Sequence, residues 1–457
     1  MAVDRSRLPQ LGTDPPFTFP AILRSRLSNG LDVRTVEHRS IPVVTFVLQV
    51  PAGSGADPAG REGLAALTAD MLDEGIRDLS AIDVSEALAR IGAEFDVDAG
   101  PDATTITLTT LARLASRGAA LLADLVMRPS LRVEDFERVR QLRLDRLRQL
   151  RDVPSALAER AFLRLVYGSH PYGHLSIGTD SALRDTSLSD VAVFHAAAFR
   201  PAGATLVIGG DFTHDEMQRL AADALGLWAS GAEAAALPDP AAVDPAAATP
   251  PRLAVIPRDR AAQSVLRIGH LSARRNSPDY AALLVMNAVL GGQFVSRVNL
   301  KLREEKGYTY GARTGFDWRR GLAPFSLDTS VDGKATADAI RDSLGELSAI
   351  RGSRPVDEKE LSMARATLTR GYPRNFETAQ QVVRSVAMLA LYGLPDTYFE
   401  EFVPKVNAIT PADVTRVARA YLDPARLTTL IVGDHQAIGT SLDELGLGDA
   451  AILPAEG

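Results

Sequence analysis

The sequence predicts an α+β protein built from two homologous halves. Three observations support this fold class: a segment that repeats in both halves, a linker-like stretch between them, and strands that are grouped apart from the long helices. A chain of 457 residues is also too long for one compact core, so several cores are expected.

The repeat is carried by two segments of equal length, Asp190 to Asp211 and Asp413 to Asp434. Their sequences, "DVAVFHAAAFRPAGATLVIGGD" and "DVTRVARAYLDPARLTTLIVGD", align without a gap and are identical at nine of 22 positions. Each predicts a helix, a break at a proline, a strand and a turn. A period of about 220 residues is too long for a solenoid, so each copy is expected to be a domain with its own core.

The stretch that separates the copies is "ASGAEAAALPDPAAVDPAAATPP", residues 229–251. It is rich in alanine and proline and lacks apolar periodicity, which predicts an extended linker. The expected organisation is therefore an N-terminal half over 1–228, a linker over 229–251 and a C-terminal half over 252–457.

Strand patterns occur near the start of both halves. They are "VVTFVLQV" (43–50), "FDVDA" (95–99), "TTITLTT" (104–110) and "SVLRIGHL" (264–271). In the first half, long helical patterns follow over 111–127 and 133–167. Adjacent strands joined by short turns favour antiparallel sheets packed with helices.

The segment "GREGLAALTADMLDEG", residues 60–75, predicts a helix with one buried face. Its apolar residues recur at helical spacing: Leu64, Leu67, Met71 and Leu72. Positions 66, 69 and 70 would lie together on such a helix, yet they hold only Ala66, Ala69 and Asp70.

Composition excludes several classes of function. The net charge is -7 and the chain has no cysteine, so no nucleic-acid partner, disulfide, thiolate nucleophile or cysteine-ligated metal is expected. No apolar run is long enough to span a membrane. The first residues lack the apolar region of a secretory signal, so either the protein stays inside or a signal was removed, and cytoplasm and periplasm both stay open.

Histidines and arginines form no further site in the sequence. His170 and His174 lie in "HPYGH", where proline and glycine prevent a helical turn, and the others are scattered singly: His38, His195, His214, His270 and His435. The arginine-rich stretch 138–151 has leucine and valine at helical spacing, which indicates a solvated helix face or an interface. Nucleotide-binding and α/β-hydrolase motifs are missing from the sequence.

Over nearly its whole length the chain resembles the M16 metallopeptidases, the pitrilysin and mitochondrial-processing-peptidase superfamily. The resemblance rests on three segments: "NGLDVRTVEHRSIPVVTFVLQVPAGSGADPAGREGLAALTADML", "DVPSALAERAFLRLVYGSHPYG" and "NAVLGGQFVSRVNLKLREEKGYTYGARTGF". It implies the LuxS/MPP-like metallohydrolase fold, whose duplication agrees with the repeat.

Catalytic members of that family carry His-x-x-Glu-His on the helix over 60–75. Two histidines four residues apart bind one zinc, the glutamate between them is the general base, and a distant glutamate is the third ligand. In register, these positions hold Ala66, Ala69 and Asp70, and the distant glutamate falls near Arg146. Alanine has no lone pair and arginine stays protonated, so no zinc or other cofactor is expected in this chain.

In the second half, "LREEKGYTYG" resembles the other functional element of these enzymes, an arginine and a tyrosine seven residues apart. The resemblance assigns this role to Arg303 and Tyr310, which would donate hydrogen bonds to the substrate across the cleft. The alternative is that Arg303 interacts with a helix C-terminus and Tyr310 is an ordinary strand residue. Gly291 and Gly292 of "LGGQF" would line the cleft or simply end a helix.

The resemblance implies a non-zinc subunit of a heterodimeric M16B peptidase. Such a subunit would supply Arg303 and Tyr310 to the zinc site of a partner subunit that cleaves peptides, and alone it would be inactive. Two alternatives stay open: a non-catalytic structural subunit, similar to the core proteins of respiratory complexes, and a peptidase active alone with an unorthodox metal site.

Overall fold

The computed structural model describes residues 17–229, 237–245 and 249–454. The strands before the Ala/Pro-rich stretch are β1 (Ile22–Arg26), β2 (Asp32–Glu37), β3 (Val43–Val50), β4 (Gly75–Ile76), β5 (Leu79–Ser80), β6 (Glu94–Ala99), β7 (Thr104–Leu111) and β8 (Thr205–Gly210). Six of them form the first sheet in the order β1-β2-β8-β3-β7-β6, and β4 pairs with β5 in a separate hairpin.

A second six-stranded sheet follows the Ala/Pro-rich stretch. Its strands are β9 (Leu253–Pro257), β10 (Gln263–Leu271), β11 (Ala312–Phe316), β12 (Pro324–Asp332), β13 (Thr428–Gly433) and β14 (Ala451–Ile452). The order of its first five strands, β11-β12-β10-β13-β9, reproduces the order β6-β7-β3-β8-β2 of the first sheet. The sixth strand lies at the same edge in both sheets, but β1 is antiparallel to β2 whereas β14 is parallel to β9. The duplication seen in the sequence is therefore also a duplication of topology.

The helices cover these sheets, and together they confirm the α+β fold class. Those of the first half are α1 (Leu64–Asp70), α2 (Ala81–Arg90), α3 (Ala115–Met127), α4 (Val133–Arg151), α5 (Pro154–Tyr167), α6 (Asp180–Asp185), α7 (Leu188–Ala198) and α8 (His214–Leu225). Those of the second half are α9 (Tyr280–Leu290), α10 (Arg297–Asn299), α11 (Thr336–Ala349), α12 (Glu358–Thr369), α13 (Ala379–Tyr392), α14 (Tyr398–Ala408), α15 (Pro411–Tyr421) and α16 (His435–Leu442). None of the described helices is both long and apolar enough to cross a bilayer.

Most strand pairs are antiparallel, as predicted, but both halves also contain a parallel pair at an equivalent place, which was not predicted. β2 pairs with β8 in parallel, and β9 pairs in parallel with both β13 and β14. The other pairs within the two sheets are antiparallel, including β3 with β7 and β10 with β12. Long helical connections separate the parallel partners in the chain, which is the condition that parallel pairing requires.

The repeated aspartates of the two copies have a structural role. Asp190 is the third residue of α7 and forms a capping box with Ser187, and Asp413 forms the same box with Thr410 at the start of α15. Each carboxylate accepts a hydrogen bond from the backbone N–H of its capping residue, so a donor at the helix start is satisfied.

Each half covers part of the other half's sheet with one helix. Helix α5 packs on β10 and β13 of the second sheet, where Phe162 lies in a buried cluster with Ile256 and Leu430. Helix α13 packs on β3 and β8 of the first sheet, where Val383 shares a core with Val207. Each half nevertheless has a large core made of its own residues or nearly so, and the exchanged helices add buried contacts between the halves.

Two predicted helices are shorter than expected. The pattern over 133–167 is interrupted at Asp152 and Val153, because Pro154 starts the new helix α5. The helix expected over 60–75 spans only α1, which begins after Gly63 at a φ of 99°.

The described part of the predicted linker contacts both halves. The carboxylate of Asp239 accepts a hydrogen bond from Arg320 at 3.1 Å, and the carbonyl of Val243 accepts one from Nε2 of His170 at 3.1 Å. The rest of that linker, 230–236 and 246–248, lies outside the described residues, as do both chain ends. The domain boundaries stay a prediction.

Candidate functional site

The N-terminus of α1 is fixed by a buried aspartate. One oxygen of Asp57 accepts the backbone N–H of Ala65 at 2.7 Å. The other accepts the N–H of Gly63 at 2.7 Å and Nε2 of His174 at 3.0 Å. Because a carboxylate at a helix start satisfies free N–H groups, the start of α1 is held in place. His174 is thereby placed as a structural residue in a loop, as its sequence context indicated.

Ala66 and Ala69 are packed against the edge of the first sheet. Both are buried, at 4% and 2% exposed, and they form an apolar cluster with Ala99 and Val97 of β6. Their methyl groups serve as packing surface.

Asp70 forms an ion pair that the sequence reasoning missed. Its Oδ2 accepts a hydrogen bond from Nε of Arg143 on α4 at 2.6 Å, and the Arg143 side chain is only 12% exposed. Arg143 also donates to the carbonyl of Ser176 at 3.3 Å. The signal was present, because position 143 lies one helical turn before position 146 and therefore on the same face.

Arg146 lines the same cavity as Ala69 and Asp70. The cavity has a volume of about 510 Å³ and lies between α1, α4 and β6. The structure thus brings together three of the four positions that the sequence register assigns to the degenerate zinc site, and Ala66 lies beside them in the packing against β6.

This set of residues does not fit a zinc ion. Two positions are methyl groups, the third is a carboxylate engaged by Arg143, and the fourth is a guanidinium. A zinc site needs three or four deprotonated nitrogen, sulfur or oxygen donors. Over the ranges that the structure describes, no group of three histidine, aspartate or glutamate side chains is arranged to hold a metal ion.

Arg303 lies in a one-turn π-helix, Leu300–Glu305, in the second half. Its guanidinium carbon is 4.4 Å from the ring centre of Phe294, a cation–π contact. Its Nη1 is 3.4 Å from the carboxylate of Glu304, but no hydrogen-bond partner satisfies this buried nitrogen within the described residues. A π-helix within a longer helical region frequently marks a functional site.

Tyr310 is 93% exposed and precedes the edge strand β11. It is therefore not the ordinary strand residue of the alternative interpretation. Thr309 fixes the turn, because its hydroxyl accepts the N–H of Gly311 at 3.0 Å. In the described part of the chain the Tyr310 hydroxyl has no hydrogen-bond partner.

Gly291 and Gly292 end helix α9. Their N–H groups both donate to the carbonyl of Asn287, at 2.9 and 2.7 Å. A Cβ on Gly291 would lie 2.6 Å from the backbone nitrogen of Thr314 on β11, so only glycine allows this approach. The helix-ending interpretation thus explains both glycines without a ligand.

Asn299 connects the glycine loop to the strand that follows Tyr310. Its Nδ2 donates to the carbonyl of Phe294 at 2.6 Å, and its Oδ1 accepts the N–H of Ala312 at 3.1 Å. Phe294 in turn contacts Arg303. The structure therefore gathers the glycine loop, Arg303 and the start of β11 into one region, held by two residues that the sequence reasoning did not name.

The two regions occupy equivalent places in the duplicated fold. The alanines of α1 pack on β6, the edge strand of the first sheet, and Tyr310 directly precedes β11, the corresponding edge strand of the second.

Comparison with known proteins identifies the family. Residues 33–180 match the family model described as "Insulinase (Peptidase family M16)", and residues 185–368 match that described as "Peptidase M16 inactive domain".

Relatives and solved structures agree with this match. An uncharacterized zinc protease of Mycobacterium tuberculosis is 23% identical over 94% of this chain and 97% of its own length. A protein of Helicobacter pylori named as a non-peptidase homolog is 22% identical over 88% of this chain and 91% of its own length. The crystal structure of a peptidase M16 inactive domain from Pseudomonas fluorescens superposes with a TM-score of 0.83 at 24% identity, covering 90% of this chain and 98% of that one. That likeness shows the fold.

Proposed function

The chain belongs to the M16 peptidase family, and from this premise we propose that it is the non-zinc subunit of a heterodimeric M16B peptidase. In this role it contributes Arg303 and Tyr310 to the active site of a zinc-bearing partner subunit. The partner supplies the metal and the general base for peptide hydrolysis.

One observation carries the proposal: the chain keeps polar donors that it does not use itself. The Tyr310 side chain is almost fully exposed, and the partly exposed Arg303 side chain has only the ion pair with the adjacent Glu304, at 3.4 Å, and the contact with Phe294. In the same chain the positions assigned to the two histidines and the general base hold Ala66, Ala69 and Asp70, and Asp70 is paired with Arg143. A free tyrosine hydroxyl and a weakly paired guanidinium, in a fold without its own metal ligands, are what a composite site requires.

The two donors have a defined chemical task in peptide hydrolysis. As water adds to the scissile carbonyl, its oxygen gains negative charge, and fixed N–H and O–H donors stabilise that charge more than the neutral carbonyl. The guanidinium of Arg303 is oriented by the Phe294 ring, and the turn before Tyr310 is fixed by Thr309. Contacts within the chain thus hold both donors in place.

The first experiment is to isolate the native complex and to identify the chains that copurify with this one. A stoichiometric partner with an intact His-x-x-Glu-His motif is the expected result. With that heterodimer, Arg303→Ala combined with Tyr310→Phe should lower kcat/KM for an unfolded peptide substrate about a hundredfold, as removal of an oxyanion donor typically does.

Matched controls are available in the same segment. Arg313→Ala removes an exposed arginine of β11, and Tyr308→Phe removes a hydroxyl two residues from Tyr310; neither should change activity more than about twofold. Full activity of the Arg303/Tyr310 variant would refute the proposal.

A structural subunit without a catalytic role is the second candidate. The lost zinc ligands favour it, as does the relative that is named a non-peptidase homolog. A homodimer, or a partner from an unrelated assembly, would support it. Stoichiometric zinc in the isolated chain would instead support a peptidase with an unorthodox metal site.

A further inference from the structure

The cavity beside α1 has an apolar wall as well as charged residues. Helix α4 contributes Val139 and Leu142, and strand β6 contributes Phe95 and Val97. The Leu142 side chain is 59% exposed. With a volume of about 510 Å³, the cavity is large enough for one or two amino-acid side chains.

Three of the four carboxylates that line the cavity have arginine partners. Asp70 pairs with Arg143 at 2.6 Å, Glu74 accepts a hydrogen bond from Arg138, and Asp96 lies 3.4 Å from Nη2 of Arg384. These arginines are therefore already engaged.

Two charged groups of the cavity remain, Asp73 and Arg146. Burial, followed by the charges of Glu74 and Asp70, raises the pKa of Asp73. Arg146 has only a neutral partner among the described residues, the side-chain oxygen of Gln149 at 3.3 Å. Of the two arginines that line the cavity, Arg143 is paired with Asp70, whereas Arg146 forms no ion pair within the described residues.

We propose that this cavity binds the carboxylate of a peptide, with Arg146 as the residue that contacts the anion and the α4–β6 wall as the surface for the adjoining apolar side chain. A guanidinium presents two parallel N–H donors that match a carboxylate, and it repels metal cations. The resemblance places the distant zinc-binding glutamate of catalytic relatives near Arg146, so in this proposal an anion-binding residue replaces a metal ligand. This inference rests on the proposed function, in which the protein receives peptides.

The test measures equilibrium binding to the isolated full-length chain. The probes are three forms of one dye-labelled peptide, Leu-Ala-Leu-Ala-Leu-Ala: the free acid, its amide, and an amide with glutamate as the last residue. We expect the free acid to bind about tenfold more tightly than the amide, the lower end for a charge-assisted hydrogen bond at an exposed arginine.

Two variants locate the effect. In Arg146→Gln the preference for the free acid should fall below about twofold, because the amide side chain carries no charge. Arg148→Gln is the matched control: Arg148 lies on the same helix, pairs with Asp145 and does not line the cavity, so the tenfold preference should persist.

The amide that ends in glutamate tests whether the site accepts the carboxylate of an acidic side chain or only that of a peptide C-terminus. Binding like that of the free acid would show that an acidic side chain is accepted, and binding like that of the plain amide would restrict the site to a chain terminus. The inference is overturned if acid and amide bind equally, if Arg146→Gln keeps the preference, or if no probe binds at millimolar concentration.

Failure of this inference is distinguishable from failure of the proposed function. The heterodimer assay with Arg303 and Tyr310 measures turnover and involves no change in the cavity. If that assay succeeds and the peptide probes show no preference, only the carboxylate site is refuted.

Discussion

The two edge-strand regions of this duplicated molecule differ in how far the chain satisfies its own side chains. Beside β6, the methyl groups of Ala66 and Ala69 are packed and Asp70 is paired with Arg143. Beside β11, Tyr310 is exposed and Nη1 of Arg303 lacks a hydrogen-bond partner in the described chain. The alanines and the ion pair of the first region therefore contribute to the packed fold, whereas the second region keeps groups that contribute little to stability. Substitutions should accordingly affect stability in the first region and activity in the second.

The largest change in stability is expected from Ala66→Leu. The side chain is 4% exposed against β6, so three added carbons should overpack this contact and lower the free energy of unfolding by about 2 kcal/mol. Urea denaturation measures the loss. Ala89→Leu, at an exposed position of α2, is the control and should change stability by less than about 0.5 kcal/mol. Equal effects of the two variants would mean that α1 is not packed as described.

Removal of the ion pair should have a smaller effect. Asp70→Ala leaves Arg143 with a backbone carbonyl as its remaining partner and should cost about 1 kcal/mol, less than a buried pair because the Asp70 side chain is 41% exposed. Asp145→Ala breaks the exposed pair with Arg148 and should cost less than about 0.5 kcal/mol. Equal losses would indicate that the Asp70 pair is an ordinary surface contact.

Acidification should destabilise both halves alike. The two halves would then respond equally to pH, and the difference between them would lie only in the regions beside β6 and β11. Burial lowers the pKa of His195 in the first half and of His270 in the second. The unfolded chain then binds protons more readily, so their contribution to stability is complete above about pH 6.5 and is lost as the pH falls towards the folded pKa.

The slope of unfolding free energy between pH 7 and pH 5 is the measurement. His195→Gln and His270→Gln should each flatten it, by at most about 1.4 kcal/mol per pH unit. The double variant should keep some slope, because burial also lowers the pKa of His170. An unchanged slope in either single variant would contradict the neutral, buried state of that histidine.

The smallest effect on stability is expected at Tyr310. Because the side chain is 93% exposed, Tyr310→Ser should change the free energy of unfolding by less than about 0.5 kcal/mol. Thermal unfolding of the isolated chain checks this. A loss above about 1 kcal/mol would show that Tyr310 packs within the chain, and the contrast between the two regions would then fail.

Local patterns predicted the strands well, because their signal lies within a few residues. The segment 43–50 is β3 as expected, and the repeat yields helix and strand at matching positions because its aspartates cap both helices. The break before Pro154 was also readable, since proline is favoured at the first turn of a helix. The break was not predicted because the helical spacing of apolar residues continues from α4 into α5.

Features that depend on distant parts of the chain were not predicted. Neither the parallel pair β2–β8 nor the exchange of α5 and α13 leaves a local pattern, because an amphipathic helix does not specify which sheet it covers. In the candidate site, the four family positions came from a register, whereas the side-chain partners of Arg143, Phe294 and Asn299 were visible only in the structure. Residues that contact each other in the fold are often far apart in the sequence, so local patterns do not reveal them.

The exchange of α5 and α13 also determines when each sheet can be covered during synthesis. The first sheet is complete in sequence once β8 has been made, but the helix that covers it, α13, ends only at Tyr392. At synthesis rates of about 5–20 residues per second, the ribosome needs roughly ten to forty seconds to make the residues between β8 and the end of α13. The nascent first half therefore exposes an apolar surface throughout this interval, and it is a natural client for a ribosome-associated chaperone.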